Sequence, residues 1–354
     1  MTEYSIAVIA GDGIGPEVVP VAQQVADSAA AAHNFGLHWV HYDWGSQYHR
    51  RHGRMMPADG LDQLADHDAI FFGAVGAPDI PDHVTLWGLL IPMRRGFHQY
   101  VNIRPVRHVP GVPSPLARPE GIDIVIVREN VEGEYSTVGG RFNQGLSSEG
   151  ALQEAVFTRA GIARVANYAA ELASRRRKKL TSATKSNGII HTMPFWDEVV
   201  AETMASYPEV ELRSVLIDAL AAALVSRPQQ FDVIVASNLF GDILSDLAAA
   251  CVGSIGLAAS GNLNPERDHP SMFEPVHGSA PDIAGSGKAN PLAQVSTVAL
   301  MLDHLGQPEA AADIIAAVDI VLAKGPRTAD LGGGANTIDV GRAVLDNLGA
   351  STGG

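Results

Sequence analysis

Hydrophobic residues along the chain fall into short apolar runs that alternate with longer segments of helical spacing. The runs that predict strands are residues 5–10, 38–42, 69–72, 122–127, 180–184 and 231–236. The segments that predict helices are residues 16–32, 154–173, 293–305, 310–324 and 340–348. Pro16 is tolerated at the start of the first helix because that position needs no backbone N–H. Strands that alternate with helices place the chain in the α/β class.

Composition narrows the class of protein further. The chain has 354 residues, about the length of two ordinary domains, and 46% of them are hydrophobic. A formal net charge of −14 argues against nucleic acid as a partner, although a local basic pocket for an anionic substrate remains compatible with it. The single cysteine, Cys251, excludes an intrachain disulfide and is typical of a buried structural residue. There is no signal-peptide pattern and no run of roughly 18 apolar residues, so we predict a cytoplasmic protein without a membrane partner.

Three arginines stand where an anionic substrate is expected to bind. Arg128 ends the predicted strand 122–127, Arg104 ends another short apolar run, and Arg94 follows an apolar segment. A planar guanidinium binds a carboxylate through two parallel hydrogen bonds, so converging arginines suit a dicarboxylate. Ordinary surface ion pairing is the alternative, and it explains Arg128 least well because ligands bind at the carboxyl ends of strands in α/β sheets.

Three aspartates suggest a metal site. Asp242 and Asp246 follow the strand 231–236 and are four residues apart, which places them on one face of a helix. Carboxylate oxygens are the ligands that Mg²⁺ and Mn²⁺ prefer. Asp242 alone could instead complement a helix N-terminus, but that alternative leaves Asp246 without a role. Asp218 lies inside an apolar run and needs a partner, which a metal ion would provide.

Two further segments carry candidate chemistry. Lys185 follows the strand 180–184 and is either a general acid or base or an exposed loop lysine. Residues 274–285 combine turn formers with small residues, which lets a ligand approach the backbone; a compact surface loop is the alternative. The glycines of residues 11–15 have the spacing GxGxG, not GxGxxG, so they are weak support for a dinucleotide-binding Rossmann loop.

Together these segments resemble the β-decarboxylating dehydrogenases, a family of isopropylmalate, isocitrate, homoisocitrate and tartrate/D-malate dehydrogenases. The resemblance extends from residue 11 to residue 333 and is most specific in residues 238–246 and 277–285. It implies the isopropylmalate dehydrogenase fold, which is α/β but not Rossmann, with two α/β domains sharing a mixed central sheet. The expected domains are a discontinuous cofactor-binding domain (1–99 plus 253–354) and a domain for substrate, metal and dimerisation (100–252).

The resemblance also implies roles for the residues that react with or bind the substrate. Arg94, Arg104 and Arg128 match the arginines that hold the substrate carboxylates. Lys185 matches the base that takes the hydroxyl proton, and Tyr135 matches the tyrosine that protonates the enol after loss of CO₂.

Metal and cofactor residues follow from the same resemblance. Asp218, Asp242 and Asp246 match the metal ligands, with Asp218 supplied by the neighbouring subunit, so a homodimer or a higher multiple with shared active sites is expected. The residues that match the adenosine-binding loop are His277, Gly278, Ser279, Ala280, Asp282, Ile283 and Asn290. Asp282 resembles the acid that selects NAD, since NADP-dependent relatives tend to carry Lys and Tyr at positions 282 and 283. The sequence leaves open Mg²⁺ against Mn²⁺ and whether K⁺ assists.

Substrate choice is expected to depend on residues 84–93. Isocitrate enzymes carry a Ser and an Asn here, which this chain lacks, and isopropylmalate enzymes usually carry a Glu where Trp87 stands. The run Leu-Trp-Gly-Leu-Leu looks like tartrate/D-malate dehydrogenases, which makes Trp87 and Leu90 substrate-binding candidates. Trp87 would fill the space of a larger γ-substituent and leave room for a four-carbon diacid.

The expected reaction is therefore NAD- and metal-dependent oxidation, with decarboxylation, of D-malate to pyruvate and CO₂, oxidation of tartrate, or both. Isopropylmalate dehydrogenase of leucine biosynthesis is the alternative, because an apolar pocket also suits an isopropyl group. A catalytically silent subunit on the same fold is disfavoured because Lys185, Tyr135 and the aspartates are all present. A metal-free carboxylate-binding protein would leave the pair Asp242 and Asp246 unexplained.

Overall fold

The computed structural model describes residues 2–348. Its strands are β1 Thr2–Gly11, β2 Phe35–His41, β3 Ala69–Ala74, β4 Val101–Arg107, β5 Asp123–Glu129, β6 Gly139–Phe142, β7 Gly150–Gln153, β8 Lys179–Thr184, β9 Glu211–Leu216, β10 Val233–Ala236, β11 Ala259–Leu263 and β12 Ser271–Pro275. Its α-helices are α1 Gly15–Ala32, α2 Ser46–His52, α3 Gly60–Leu64, α4 Asp82–Thr85, α5 Ile91–Gly96, α6 Arg159–Ser174, α7 Thr192–Met204, α8 Ile217–Ser226, α9 Asn238–Val252, α10 Leu292–His304, α11 Pro308–Lys324 and α12 Thr337–Asn347.

The strands and helices predicted from the sequence are confirmed, with shifted ends. The largest shift concerns the helix predicted from residue 154, since α6 begins at Arg159. Its start is set by Thr158, whose hydroxyl accepts a hydrogen bond from the backbone N–H of Gly161, as N-terminal caps do. None of the helices within residues 2–348 has the length and apolar character that crossing a lipid bilayer requires.

The chain divides into two compact units. The first comprises residues 2–99, 107–121 and 249–348. Its strands lie in the order β2-β1-β3-β12-β11, parallel except for the antiparallel pair β11 and β12. Because β1, β3 and β12 run parallel, the loops that follow them emerge at the same edge, and these loops include residues 11–15 and 276–285.

The second unit comprises residues 100–106 and 122–248. Its strands lie in the order β4-β5-β10-β8-β9, with parallel pairing from β5 to β9. All four residues of β10 are buried, as expected for a strand covered on both faces of a parallel sheet. The carboxyl ends of these strands lead to Arg128, Lys185, Asp218 and Asn238, so the edge of this sheet collects the residues that sequence patterns singled out. Strands β6 and β7 form a separate antiparallel pair.

Residues 107–121 fall in the first unit, whereas the predicted domains assigned them to the range 100–252. They belong to the first unit because their contacts are made there. Arg107 Nη1 lies 2.8 Å from Asp319 Oδ2 on α11, and the Ser114 hydroxyl donates to the carbonyl of Cys251 at 2.7 Å. The buried state predicted for Cys251 is confirmed. The roles that the sequence assigned to the two domains stay predictions.

Candidate active site

Arg128 is the most deeply buried of the predicted substrate arginines. Its side chain is 2% exposed, its Nε and Nη2 atoms donate to Asn238 Oδ1 at 3.1 and 2.6 Å, and its Nη1 donates to Asp242 Oδ1. A side chain at Gly241 would place its Cβ 2.6 Å from the Cβ of Arg128, so only glycine permits this approach of the strand end to α9. The carboxyl end of β5 and the first turns of α9 therefore form one ionic cluster.

Arg104 joins the same cluster from β4. Its Nη1 atom lies 3.2 Å from Oδ1 of both Asp242 and Asp246 and donates to the Ser245 hydroxyl at 2.6 Å. Its Nε atom donates to Asn102 Oδ1 at 2.8 Å, and this contact orients the guanidinium. Two carboxylates that would repel one another at this helical spacing are thus held together by shared positive charge.

Tyr135 contacts the same cluster. Its hydroxyl donates to Asp242 Oδ2 at 3.0 Å, and the Arg128 guanidinium lies 5.6 Å from the centre of its ring. A proton donor, two arginines and two carboxylates are therefore within one small region of the second unit.

The carboxylates in this region suit a hard divalent cation. Oδ1 of Asp242 and Oδ1 of Asp246 lie close enough to contact the same atom, Arg104 Nη1, and carboxylate oxygens are the donors that Mg²⁺ and Mn²⁺ require. Burial of the carboxyl raises the pKa of Asp246, an effect that Arg104 partly offsets. Within residues 2–348 no group of three or more His, Cys, Asp or Glu side chains forms a complete metal site. One chain thus offers two of the three predicted ligands at this place.

The third predicted ligand, Asp218, pairs instead with the predicted base. Lys185 Nζ donates to Asp218 Oδ1 at 2.7 Å. This hydrogen bond lowers the pKa of Asp218, whose side chain is 66% exposed, while that of Lys185 is 31% exposed. Asp218 lies in the first turn of α8, and Lys185 is the partner that an acid in an apolar run was expected to need.

In the first unit, Arg94 is buried against an acid that the sequence did not single out. Its Nη2 atom donates to Glu274 Oε1 at 2.7 Å, and Asn262 Nδ2 donates to the same oxygen at 2.8 Å. Glu274 is the fourth residue of a wholly buried strand, β12. An acidic residue within a buried strand is the sequence signal that could have identified Glu274, because a buried charge requires a partner.

The segment expected to choose the substrate has an unusual backbone. Residues Leu86–Leu90 form a π-helix, a form that occurs frequently at functional sites. Trp87 is half-buried, and the guanidinium of Arg95 lies 5.0 Å from the centre of its ring. Leu90 is buried in the hydrophobic core with Leu89 and Met93.

The predicted cofactor loop combines exposed and buried members. Gly278 and Asp282 are exposed, while Ser279 and Asn290 are buried. His277 Nδ1 lies 3.0 Å from the carbonyl of Gly278, and its Nε2 is buried without a hydrogen-bond partner in the described part of the chain. Burial lowers the pKa of His277, which favours the neutral form of its ring. An orphaned ring nitrogen beside exposed backbone is a feature that a bound cofactor would satisfy.

The N-terminal glycine loop supports this cofactor loop. The backbone N–H of Ile14 donates to the carbonyl of Ser279 at 2.9 Å, and a Cβ at Gly13 would lie 1.9 Å from that oxygen. Glu17 accepts hydrogen bonds from the backbone N–H groups of Gly285 and Gly287. The sequence did not predict this contact, because the loop and its partner are far apart along the chain.

The chain is similar to known proteins in family, in sequence and in fold. The family model for isocitrate/isopropylmalate dehydrogenase matches residues 5–344. The chain is 54% identical over 354 residues to a protein of Escherichia coli named D-malate dehydrogenase (decarboxylating), covering 97% of this chain and 98% of that relative. It is 51% identical over 350 residues to a probable tartrate dehydrogenase/decarboxylase of Bacillus subtilis, covering 98% and 99%.

Among solved structures, isocitrate dehydrogenase from Methylococcus capsulatus superimposes with a TM-score of 0.89 at 34% identity, covering 98% of this chain and 99% of that chain. The likeness extends over both units and confirms the predicted fold class.

Proposed function

The chain belongs to the isocitrate/isopropylmalate dehydrogenase family, and on this premise we propose that it is a decarboxylating dehydrogenase acting on a four-carbon 2-hydroxy diacid. The proposed reactions are conversion of D-malate to pyruvate and CO₂, oxidation of tartrate, or both, with NAD⁺ and a divalent metal ion. The observation that carries the proposal is the cluster in which Arg104, Arg128, Asp242, Asp246 and Tyr135 meet. This cluster combines carboxylate binding, metal ligands and a proton donor.

The arginines bind and orient the diacid. Asn102 and Asn238 orient the guanidinium groups of Arg104 and Arg128, and a guanidinium is well suited to pair with a substrate carboxylate. Arg94 serves as the third carboxylate-binding residue. Asp242 and Asp246 would hold Mg²⁺ or Mn²⁺ together with Asp218 of a second copy. When bound, the metal ion acts as a Lewis acid that makes the substrate hydroxyl easier to deprotonate.

Two side chains handle the protons. Lys185 takes the proton of the C2 hydroxyl, and its contact with Asp218 orients its amine. Tyr135 donates its hydroxyl proton to C3 after CO₂ has left, and its contact with Asp242 fixes the direction of that hydroxyl. The hydride from C2 would pass to NAD⁺ held by the cofactor loop. The loop from His277 to Asn290 would hold the cofactor, with the exposed Asp282 accepting hydrogen bonds from ribose hydroxyls.

Trp87 supports a small substrate. A half-buried indole whose ring is covered by Arg95 is a rigid and bulky group, and it occupies volume that a larger γ-substituent would need. The names of the relatives from Escherichia coli and Bacillus subtilis agree with a four-carbon diacid.

A homodimer with shared active sites completes the proposal. Because Lys185 and Asp218 are joined at 2.7 Å, a neighbouring subunit that supplies Asp218 to the metal also supplies Lys185 to the substrate. The arm formed by β6 and β7 exposes apolar side chains, as surfaces that bind a second copy do. These exposed side chains are Val138, Phe142, Leu146 and Leu152. A cytoplasmic location and assistance by K⁺ stay predictions from the sequence.

A substrate panel tests the proposed function. We expect purified protein with NAD⁺ and Mn²⁺ to form NADH with D-malate, with a tartrate isomer, or with both, and to release CO₂ from D-malate. EDTA should abolish this activity and Mn²⁺ or Mg²⁺ should restore it. Higher kcat/KM with 3-isopropylmalate than with any four-carbon acid would favour the alternative enzyme. Undiminished turnover in EDTA would contradict the role of the aspartates.

A further inference from the structure

The helix that carries Asp242 and Asp246 is capped by an acid from another part of the chain. The first N–H groups of any α-helix lack partners within the helix, and α9 has no acidic residue in its own first turn. Glu134 Oε2 accepts from the backbone N–H of Leu239 at 3.1 Å, and its Oε1 accepts from the Ser237 hydroxyl at 2.7 Å. A carboxylate is electrostatically favourable at a helix N-terminus.

The cap is extended through Ser237. The hydroxyl that donates to Glu134 also accepts from the backbone N–H of Phe240 at 3.5 Å. Glu134 therefore provides for two of the free N–H groups of α9, one directly and one through Ser237. This is the role that sequence reasoning left open for Asp242, so Asp242 is not needed as the cap of α9.

Glu134 immediately precedes Tyr135, and both residues contact the same helix. Glu134 contacts its first turn, while the Tyr135 hydroxyl donates to Asp242 Oδ2 in the next turn at 3.0 Å. Asn238 Nδ2 adds a hydrogen bond to the backbone carbonyl of Glu132 at 3.2 Å. The backbone from which Tyr135 projects is consequently fixed relative to the carboxylate that orients its hydroxyl.

Glu132 makes a comparable contact at the start of another helix, α6. Its carboxylate accepts from the backbone N–H and the hydroxyl of Thr158 at 2.9 and 2.8 Å, which caps the start of α6. Gly133 lies between the two glutamates with a φ of +92°, in the left-handed region that glycine adopts without strain. Helix α6 carries none of the candidate site residues, so Glu132 has the same chemistry as Glu134 without its connection to the site.

We propose that Glu134 is a positioning residue, which keeps the Tyr135 hydroxyl in register with Asp242 on α9 and so controls the proton transfer that Tyr135 performs. This inference rests on the proposed function and specifies one part of its machinery. A displacement of about 1 Å in a reacting group is enough to cost up to roughly 100-fold in rate, so the loss of one cap can impair turnover without unfolding the helix.

The test is a kinetic double-mutant cycle with the acid that the wild type oxidises best in the substrate panel. We expect Glu134→Ala to lower kcat about 10- to 100-fold with little change in the KM of the acid. Glu132→Ala, the matched control, should leave kcat within about threefold. In a Tyr135→Phe background, Glu134→Ala should cause no further loss, because the group it positions is already absent.

A conservative variant separates positioning from folding. In Glu134→Gln the amide oxygen can still accept from Leu239 and the amide NH₂ can donate to the Ser237 oxygen, so we expect kcat close to that of the wild type. If Glu134→Ala fails to fold, Ser237→Ala takes its place in the cycle, since it removes one of the two contacts of Glu134. A smaller kcat loss that again vanishes beside Tyr135→Phe is expected for that variant.

Three results would overturn the inference. The first is an equal loss of kcat in Glu134→Ala and Glu132→Ala. The second is that Glu134→Ala lowers kcat by the same factor with and without Tyr135→Phe. The third is a wild-type kcat in Ser237→Ala, where that variant is used. These results leave the proposed function intact, because the wild type remains active. A wild type that oxidises no acid of the panel would overturn the proposed function and this inference together.

Discussion

Two ionic groups in the second unit differ in their burial and in the number of partners that one chain provides for them. The Arg128 side chain is 2% exposed and the Asp242 side chain 32% exposed, and both have further partners in Arg104, Asn238 and Tyr135. Lys185 and Asp218 are 31% and 66% exposed, and their side chains are joined by one contact, from Lys185 Nζ to Asp218 Oδ1 at 2.7 Å.

This difference separates contacts that stabilise the fold from contacts that remain accessible on the surface. Burial weakens solvent screening, so the Arg128 cluster is a fixed structure whose loss leaves a charge without compensation. An exposed pair contributes little to stability because water screens it and both side chains lose freedom when they meet. In the proposed dimer, the exposed pair of one copy would reach the buried cluster of the other.

The largest effect is expected from the exposed pair, but on turnover alone. Lys185→Ala should lower kcat about 10²- to 10⁴-fold, the range that a general acid or base contributes. Its free energy of unfolding should change by less than about 0.5 kcal/mol, because surface substitutions seldom cost more. Steady-state kinetics and urea unfolding measure the two quantities, and a variant with normal turnover would refute the assignment of Lys185 as the base.

A substitution in the buried cluster should instead have a large effect on the free energy of unfolding. Arg128→Ala should lower the free energy of unfolding by about 3 kcal/mol, at the low end for breaking a buried ion pair, because Arg104 remains 3.2 Å from Asp242. Urea unfolding of this variant beside Lys185→Ala makes the comparison direct. Equal stabilities of the two variants would mean that burial does not distinguish the groups.

The pH dependence of stability should also arise mainly from a buried residue, Glu129. Burial raises the pKa of Glu129, the neighbour of Arg128, to about 7, although two backbone N–H groups partly oppose this. Because the folded protein then binds the proton more tightly than the unfolded chain does, this group stabilises the fold below pH 4.5 and loses its effect as the pH rises through 7. Glu129→Gln should gain about 2–3 kcal/mol of stability relative to the wild type between pH 5 and pH 8.

Urea unfolding at both pH values measures that gain. Glu209→Gln, at an exposed acid, serves as the control and should show no such gain. The exposed pair should behave with the opposite sign, since Lys185 lowers the pKa of Asp218 and any stabilisation from it disappears as the pH falls through that lowered pKa. A flat difference between Glu129→Gln and the wild type would contradict the raised pKa.

The smallest expected signal is the most informative about assembly. Hybrid dimers of Lys185→Ala and Tyr135→Phe should have one intact site if Lys185 serves the neighbour's cluster. Random reassociation should then restore about a quarter of the wild-type specific activity, because half of the dimers are hybrids and each has one working site. Hybrids of Lys185→Ala and Asp218→Asn are the control and should stay inactive, since those residues travel together. Activity in the control but not in the first mixture would reverse the assignment.

Much of this site was predictable from local patterns. The spacing of Asp242 and Asp246 predicted a shared helical face, and the end of an apolar strand predicted the position of Arg128, because periodicity and strand direction are local properties of a chain. The structure confirms both placements. The resemblance in residues 238–246 and 277–285 pointed to the family that the comparisons then showed.

The sequence by itself determined the α/β class, the approximate positions of six strands and the identity of the charged residues that follow them. Tertiary structure alone decided which charges meet. Glu134 lies 105 residues from its contact Leu239, Arg94 lies 180 residues from Glu274, and Ile14 bonds to the distant Ser279. Such partners are chosen by the packing of the whole chain, because a buried charge or a free N–H accepts whatever compatible group the fold brings near.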